Sequence, residues 1–286
     1  MTLLITGGVE RFWLVLEGES QRLCRLPERL ITATAPPNYP SWMTAFRVGT
    51  WNVEYGAGTY KNELRLARLR DESADVWVLT ETHDDLDLSP THVPISTAPR
   101  PNRPPGSRWT SIWSCWPIIE RLDVGDPVRT VAALLRGPDG PLVIYGTVLP
   151  WQTDAGPNAE APAKGWTEHH RVLPMQLTEW RELRERFPDA LFIVAGDFNM
   201  NFGEKQDYGT ARGRTILRDG LAASGLSCLT EAERIPEGLL NRPPVDHVVV
   251  SAKWAPGSRI VAAWEGTTDA GLKLSDHSGL VIEVSA

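Results

Sequence analysis

Polar side chains capable of chemistry stand where strand-like apolar runs end in this 286-residue chain. The segment LFIVAGDFN ends in Asp197 and Asn199, FRVGTWNVE passes into Asn52, and ADVWVLTET ends at Glu81. Taken singly, the Gly-Asp of Asp197 is more typical of a turn or a helix cap than of a ligand, Asn52 of a turn, and Glu81 of a solvated loop. Their joint occurrence at strand ends favours a functional site.

Two further strand-like runs begin with a carboxylate and a histidine. Asp246 and His247 precede the run in PVDHVVVS, and Asp276 and His277 precede the run in LSDHSGLVIEV. In antiparallel neighbours, the end of one strand lies beside the start of the next. We therefore expect all five segment ends to gather at one edge of a sandwich.

The residue types at these ends indicate a cation site. Oxygen donors alone are offered by Asn52, Glu81, Asp197, Asn199 and Asp276. Such donors suit hard divalent cations such as Mg²⁺ or Mn²⁺ better than zinc. A cation held by one or two carboxylates keeps water and accepts a phosphate oxygen. The pattern therefore predicts hydrolysis of a phosphoester.

His277 is the imidazole best placed to activate a water. It lies next to Asp276, and Asp246 can orient it through its other ring nitrogen. The remaining histidines are expected to be satisfied surface or core side chains: His83, His92, His169, His170 and His247.

Composition and charge narrow the class of protein. The 42% hydrophobic and 23% charged residues are typical of a folded globular protein. No apolar run approaches the roughly 20 residues that span a bilayer, and no secretory signal is recognised. The three cysteines lack a Cys-x-x-Cys pair, so neither a disulfide framework nor a zinc cluster is indicated, and we expect a cytoplasmic protein. A net charge of −7 means that nucleic-acid binding would need a local basic patch.

The pattern of apolar runs predicts the domain organisation. Residues 1–43, with the Pro-rich stretch TATAPPNYPSW, are predicted to form an N-terminal extension and linker, and residues 44–286 one α/β domain. Nine strand-length runs are predicted within it: RVGTW, VWVLT, SIWSCW, TVAALLR, LVIYGTVL, LFIVAG, HVVVS, IVAAW and LVIEV. The Pro-Asp-Gly turn predicts a hairpin of residues 131–135 with residues 142–148.

Three segments are predicted to be helical. They are YKNELRLARLRDE, EHHRVLPMQLTEWRELRERF and GRTILRDGLAASGL, with Pro174 in the first turn of the second helix or at a kink. Strands by runs with helices at intervals favour sheet packed on sheet with helices outside.

The segments TWN, Glu81 in LTET, GDFN, VDH and SDH, in that order, strongly resemble the motifs of the endonuclease/exonuclease/phosphatase superfamily. That superfamily comprises deoxyribonuclease-like, abasic-site-endonuclease-like and sphingomyelinase-like hydrolases. The resemblance covers about residues 44–286. It implies a four-layered α/β sandwich of two packed mixed β-sheets flanked by helices, and a metal-dependent phosphodiesterase or phosphatase.

The resemblance also implies a metal-binding set. Asn52 and Glu81 would lie at the metal, with Glu81 its principal ligand, and Asp276 would add a metal contact. Glu54 matches a position that is often acidic in the abasic-site branch and is expected in the outer metal shell.

The same resemblance implies catalytic roles. Asp197 would position or deprotonate the attacking water, and Asn199 would steady the phosphate and the nucleophile. His277, paired with Asp246, would contact the phosphate or serve as the base. The identity of the base therefore stays open between Asp197 and His277.

One position departs from the family pattern. Val148, in GTVLPW, stands where much of the family supplies a His or Tyr to the phosphate. Losing one hydrogen bond to a developing charge costs catalysis on the order of 10²-fold. Either another group, such as Trp151 or a histidine of the EHH segment, fills the gap, or the enzyme is slow or inactive.

The expected partner is a phosphodiester substrate, with DNA or RNA as the leading choice. A basic rim is predicted from Arg100, Arg103, Arg108, Lys205, Arg212 and Arg214, and a base-stacking role is considered for Trp109, Trp113, Trp116 and Trp151. The alternatives are a phosphatase or phosphodiesterase for small molecules or lipid headgroups, favoured by the acidic charge, and a catalytically weak binding protein, suggested by Val148.

Overall fold

The computed structural model describes residues 44–56, 58–156, 165–204 and 207–285. Within these ranges the chain runs through twelve strands and three α-helices: β1 (Phe46–Asn52), α1 (Thr59–Glu72), β2 (Val76–His83), β3 (Val93–Ser96), β4 (Ser107–Ser114), β5 (Ile118–Leu122), β6 (Thr130–Gly137), β7 (Gly140–Val148), α2 (Thr167–Arg186), β8 (Leu191–Asp197), α3 (Ala211–Ala223), β9 (Leu226–Cys228), β10 (Asp246–Ser251), β11 (Arg259–Trp264) and β12 (Gly279–Val284). The predicted extension, residues 1–43, lies outside the described residues, so its boundary with the domain stays a prediction.

The strands form two six-stranded sheets. The first has the order β11-β12-β1-β2-β4-β3, and the second has the order β5-β6-β7-β8-β10-β9. Both sheets are mixed, because β1 pairs with β2 and β7 pairs with β8 in parallel while the other pairings are antiparallel. The α/β sandwich predicted from the sequence is therefore confirmed.

Alternate residues of the central strands face two different apolar cores. In β2, Val76 and Val78 pack into the core between the sheets, and Trp77 and Leu79 pack into an outer core with Leu69 of α1. A strand buried on both faces reads as a continuous apolar run, as in VWVL. A third core lies between the second sheet and helices α2 and α3, so the layers are helix, sheet, sheet and helices.

The sequence prediction located the long elements and missed the short ones. The hairpin of β6 and β7 is confirmed, with Gly137 paired to Gly140 across the turn. Strands β3, β5 and β9 were not predicted, because VPIS and IIERL contain exposed or polar positions and LSC has only three residues. Strand β4 ends at Ser114, short of the predicted Trp116, and Pro174 lies well inside α2 and not in its first turn.

Among the described residues, no helix combines the length and the apolar composition that crossing a membrane requires.

Candidate active site

The ends of five strands meet at one edge of the sandwich. In the first sheet, Asn52 ends β1 and Glu81 lies near the end of the parallel strand β2. In the second sheet, Asp197 ends β8 and pairs in register with Asp246, the first residue of the antiparallel strand β10. His277 lies just before β12, which pairs with β1. The predicted gathering of these segments is observed.

Asn52 joins the two sheets at this edge. Its side chain is buried, and its amide nitrogen donates hydrogen bonds to Oε1 of Glu81 at 3.3 Å and to Oδ2 of Asp197 at 3.2 Å. The same nitrogen lies 3.4 Å from Nε2 of His277. Asn52 therefore contacts Glu81, Asp197 and His277 and fixes the distances among these three side chains.

The amide oxygen of Asn52 points away from this group. Oδ1 accepts a hydrogen bond from the backbone N–H of Glu54 at 2.9 Å. We expected Asn52 to offer an oxygen to a cation, but the structure presents its NH₂ group to the acids instead. Two carboxylates and an imidazole nitrogen lie on this side of Asn52. Because carboxylates accept hydrogen bonds, the NH₂ group, which donates, faces them. The Glu54 carboxylate forms an ion pair with Lys273 at 2.8 Å.

His277 forms a pair with Asp246, as predicted. Nδ1 of His277 lies 2.6 Å from Oδ2 of Asp246, and Nε2 lies 4.0 Å from Oδ2 of Asp197. One ligand atom from each of these three residues lies within 4.8 Å of the others. The second carboxylate oxygen of Asp246 is buried without a protein hydrogen-bond partner.

Burial and charge shift the protonation of this cluster. Burial raises the pKa of Asp197, the positive charge of His277 lowers it, and the charge of Asp246 raises it again. Burial lowers the pKa of His277, but the charges of Asp246 and Asp197 outweigh burial and raise that pKa above the usual value of an imidazole. Without a bound cation, the imidazolium of His277 therefore compensates the two buried carboxylates.

The GDFN motif builds a rigid corner after β8. The backbone N–H of Asn199 donates to Oδ1 of Asp197 at 2.7 Å, and the Asn199 side chain donates to Oδ2 of Asp197 at 3.1 Å and to the Leu149 carbonyl at 2.9 Å. Asn199 has a left-handed backbone, with φ of 49°. Gly196 has φ of 135°, and a Cβ there would overlap the carbonyl oxygen of Thr147. The motif thus needs glycine for close approach and holds Asp197 by two hydrogen bonds from Asn199.

Glu81 is held by a buried arginine. The Glu81 backbone also lies in the left-handed region, with φ of 47°. Nη1 of Arg100 lies 3.6 Å from Oε2 of Glu81. The Arg100 guanidinium stacks 3.4 Å from the ring centroid of Trp109 and 5.1 Å from that of Tyr55. The strained backbone and the stacked arginine together fix the Glu81 carboxylate.

An open cleft of about 510 Å³ is lined by Glu81, Asp197, Asn199, Asp246, Asp276 and His277. We call Asn52, Asp197, Asp246 and His277 the cleft floor. All predicted site residues except Asn52 are among the lining residues. Asp276 lines the cleft but is exposed, and it lies outside the tight cluster of Asp197, Asp246 and His277.

Among the lining residues outside the predicted site set, three offer an aromatic ring or a positive charge to a substrate. We call Trp151, Tyr208 and Arg242 the cleft entrance. Trp151 was considered as a stacking residue and as a replacement for the missing His or Tyr. Tyr208 and Arg242 belong to no recognisable motif. Each lies in a loop, and the sequence does not predict the course of these loops.

The histidines of the EHH segment do not fill the gap at Val148, which is itself buried. Nδ1 of His169 hydrogen-bonds the Pro150 carbonyl at 2.7 Å, and Nε2 of His170 hydrogen-bonds Thr210 at 2.7 Å. Neither ring is among the residues that line the cleft. His247 is a core residue, as expected, and bonds the Met200 carbonyl at 2.8 Å.

Most of the predicted basic rim is engaged elsewhere. Arg108 forms two hydrogen bonds with Asp84, at 3.1 and 3.0 Å, and Arg103 stacks 4.8 Å from the Tyr55 ring centroid. Arg214 is buried and Arg212 is exposed, and neither lines the cleft. Lys205 lies outside the described residues. Arg242 is the arginine that lines the described cleft.

Comparison with known proteins assigns this arrangement to a family. A model of the Endonuclease/Exonuclease/phosphatase family matches residues 49–277. The chain belongs to this family. Its members are nucleases, phosphodiesterases and phosphatases that generally depend on a divalent metal. Membership of this family supports the conclusion that the protein is a phosphoester hydrolase.

Solved structures share the fold at low sequence identity. The human Nocturnin catalytic domain with bound sulfate is 15% identical, with a TM-score of 0.61 over 84% of this chain and 93% of that chain. The endonuclease domain of TRAS1, a telomere-specific non-LTR retrotransposon, is 16% identical, with a TM-score of 0.56 over 84% of this chain and 98% of that chain. D. rerio TDP2 complexed with single strand DNA product is 16% identical, with a TM-score of 0.56 over 85% of this chain and 100% of that chain. No curated protein matches this chain.

The donor set fits a hard divalent cation. Glu81, Asp197 and Asp246 bring carboxylates to one edge, and the unpartnered oxygen of Asp246 is an available acceptor. Asp276 adds an exposed carboxylate beside His277. A cation at this edge would offset the repulsion among these acids.

Proposed function

We propose that the protein is a Mg²⁺- or Mn²⁺-dependent phosphodiesterase that cleaves nucleic acid by attack of an activated water. The observation that carries this proposal is the cleft floor. Asn52 links Asp197 to Glu81, and Asp246 orients His277, all within hydrogen-bonding distance at the base of an open cleft. Acids crowded in this way are costly for a fold, so a functional reason for them is expected.

The proposed metal ligands are Glu81 and Asp276, with Asn52 as the residue that orients them or, after rotation of its amide, as a third ligand. When bound, the cation would stabilise the negative charge that develops on the phosphate. Glu81 is suited to this role because Arg100 and Asn52 each hold one of its two oxygens. A carboxylate fixed in this way loses little freedom on binding.

Asp197 and His277 are the proposed catalytic pair. Asp197 lies at the base of the cleft, with Oδ1 held by the Asn199 backbone and Oδ2 facing Nε2 of His277. We propose that Asp197 takes the proton of the attacking water, while Nε2 of His277 contacts the phosphate. Asp246 keeps Nε2 directed into the cleft by holding Nδ1. Asn199 positions Asp197 and is expected to steady the nucleophile.

An unpaired strand is the substrate that the cleft favours. The cleft volume of about 510 Å³ is within the range of sites that enclose one small molecule or one nucleotide. Trp151 and Tyr208 offer aromatic rings for a base, and Arg242 offers a charge for a phosphate. Two structural neighbours, the TRAS1 endonuclease domain and TDP2 with its single strand DNA product, support nucleic acid as the substrate class.

A small-molecule or lipid-headgroup phosphoester is the second candidate. It is favoured by the net charge of −7 and by the pairing of Arg108 with Asp84, which leaves little positive charge for a long duplex. The third reading, a catalytically weak binding protein, is opposed by the intact cleft floor.

The test is a cleavage assay on a substrate panel. Labelled single-stranded DNA, duplex DNA, abasic-site DNA, RNA and an aryl phosphodiester are incubated with Mg²⁺, Mn²⁺ or chelator. We expect metal-dependent cleavage that Asp197→Asn reduces on the order of 10³-fold. Asp75→Asn is the matched control, because Asp75 is a half-buried carboxylate that precedes β2 at the end opposite Glu81.

Cleavage of the aryl phosphodiester alone would favour the second candidate. Activity that survives in Asp197→Asn, or an intact panel under every condition, would overturn the proposed function.

A further inference from the structure

Tyr208 is a cleft residue without an assigned role. It lines the same cleft as Asp197, Asn199 and His277, and 37% of its surface is exposed. It lies in the loop between β8 and α3, and nothing in the sequence motifs points to it. An exposed tyrosine beside buried acids raises the question of what its hydroxyl does.

The backbone of Tyr208 is fixed although it lies in a loop. Its N–H donates to Oδ1 of Asn201 at 2.5 Å, and its carbonyl accepts from the Asn201 N–H at 3.0 Å and from Nη1 of Arg214 at 3.2 Å. Asn201 in turn donates to the carbonyls of Pro243 and Pro244 at 2.9 and 3.0 Å. The loop that holds Tyr208 is therefore tied to the loop that leads into Asp246.

The ring of Tyr208 also has a defined place. Its centroid lies 5.0 Å from that of Trp166 in an edge-to-face arrangement, with an angle of 72° between the rings. Such a contact favours this orientation of the ring over others. A side chain that is held at both backbone and ring is suited to a positioned hydrogen bond.

The hydroxyl of Tyr208 has a proton to donate. Burial raises its pKa, a hydrogen bond from the backbone N–H of Gln152 lowers it, and the negative charge of Asp197 raises it. The phenol therefore remains protonated at neutral pH. Tyr208 lines the same cleft as Asp197 and His277, so the phenol faces the space that a bound phosphate would occupy.

Position 148 lacks the hydrogen-bond donor that the family pattern places near Asp197. Val148, where much of the family has a His or Tyr that contacts the phosphate, is buried and pairs in register with Asp197. A valine side chain donates no hydrogen bond. Trp151 lies only three residues beyond Val148 and lines the cleft together with Tyr208, so Tyr208 lies near the segment that follows Val148.

We propose that the Tyr208 hydroxyl donates a hydrogen bond to a non-bridging oxygen of the bound phosphate and so replaces the donor that position 148 lacks. This inference rests on the proposed phosphodiesterase function. The bond strengthens as negative charge develops on the phosphate, so it contributes more to the transition state than to the bound substrate.

The test compares Tyr208→Phe with the wild-type protein on the best substrate of the panel. We expect kcat to fall roughly 30-fold, within the range for loss of one donor to a developing charge, with KM within about a factor of three. Tyr208→His, which restores a donor, is expected to recover part of the loss. Tyr60→Phe is the matched control, because Tyr60 lies on α1 and is 65% exposed.

A second measurement does not depend on turnover. Calorimetric titration with inorganic phosphate in the presence of Mn²⁺ is expected to show roughly tenfold weaker binding to Tyr208→Phe than to the wild-type protein. Equal phosphate affinity together with equal kcat would overturn the inference. A loss confined to KM would also overturn it and would indicate a stacking platform instead. If the wild-type protein cleaves nothing in the panel, the proposed function fails, and the phosphate titration alone decides whether Tyr208 binds phosphate.

Discussion

The floor and the entrance of the cleft are built in different ways. The floor residues Asn52, Asp197 and Asp246 are each 1% exposed and end or begin strands of two different sheets. The entrance residue Tyr208 is 37% exposed and lies in a loop. The floor thus inherits its geometry from the sheets, whereas the entrance depends on loop contacts.

This difference assigns the chemistry and the recognition to separate parts of the molecule. Groups that handle a proton must be held to within a fraction of an ångström, and strand ends buried between two sheets provide that. Groups that select a substrate lie on loops, which change without disturbing the core. Changes in the floor should therefore reduce kcat, and changes at the entrance residues Trp151 and Arg242 should act mainly on KM or on substrate choice. Tyr208 is the exception, because its hydroxyl is proposed to contact the reacting phosphate and its loss should reduce kcat.

The largest effect that tests the comparison is expected from Asp246→Asn. Asp246 holds Nδ1 of His277 at 2.6 Å, so the variant loses the charge that orients the imidazole. We expect kcat to fall on the order of 10²-fold, with KM nearly unchanged. Steady-state kinetics on the best substrate, with Asp75→Asn as the control, measure this.

If kcat falls together with a large loss of thermal stability, the fall reports unfolding of the variant as well as the loss of the oriented imidazole. For this reason the unfolding temperature of both variants is measured in parallel. A rise in KM with unchanged kcat would contradict the assignment of Asp246 to the floor.

The sequence predicted the floor because strand periodicity and chemistry coincide there. Apolar runs such as LFIVAG fix where a buried strand ends, and Asp197 and Asn199 follow directly. The antiparallel pairing of β8 with β10 then brings Asp246 beside Asp197, as the strand-end argument requires. The apolar runs and the pairing of their strands together carry this information, since each residue lies at the end of its own strand.

The entrance and the support of Glu81 could not be predicted in this way. Arg100 was interpreted as part of a phosphate-binding rim, but the fold buries it against Trp109 and pairs it with Glu81. Tyr208 is placed by hydrogen bonds to Asn201 that depend on the path of two loops. Contacts between loops leave no period in the sequence, so their residues were missed or given another role.

A smaller effect is expected where Arg100 connects the aromatic residues to the metal-binding acid. Arg100→Gln removes the cation beside Glu81 and leaves its Oε2 without the ion pair. We expect kcat to fall about tenfold because the carboxylate loses its fixed orientation. Mn²⁺ should bind at least as tightly, because a positive charge near its ligand is gone. Kinetics and calorimetric titration with Mn²⁺ measure the two effects separately.

The matched control for this change is Arg108→Gln. Arg108 also pairs with an acid, Asp84, but its pair is exposed and outside the cleft lining. Equal kcat in Arg100→Gln and the wild-type protein would show that the Arg100 stack does not position Glu81. Weaker Mn²⁺ binding would show that the lost orientation of Glu81 outweighs the removal of the positive charge.

The smallest effect is expected at the entrance itself, from Trp151→Ala. The Trp151 ring packs against Trp109 with centroids 5.6 Å apart, its Nε1 donates to Thr153 at 3.1 Å, and the ring lines the cleft. A ring braced in this way can stack on an unpaired base. We expect about fivefold weaker binding of single-stranded DNA, at the lower end for one stacked base.

Fluorescence anisotropy with labelled single-stranded DNA measures this binding, and the Asp197→Asn background prevents cleavage during the titration. Trp151→Phe keeps an aromatic face and is expected to retain most of the affinity, which separates stacking from the support of Trp109. If Trp151→Ala, Trp151→Phe and the protein with Trp151 bind the DNA equally well, Trp151 has no role in substrate recognition. The Trp151→Ala variant that retains Asp197 is also assayed for cleavage. If its kcat falls while the affinity for DNA is unchanged, Trp151 affects catalysis and not recognition. It would then act on Glu81 through its contact with Trp109 and the Arg100 ion pair.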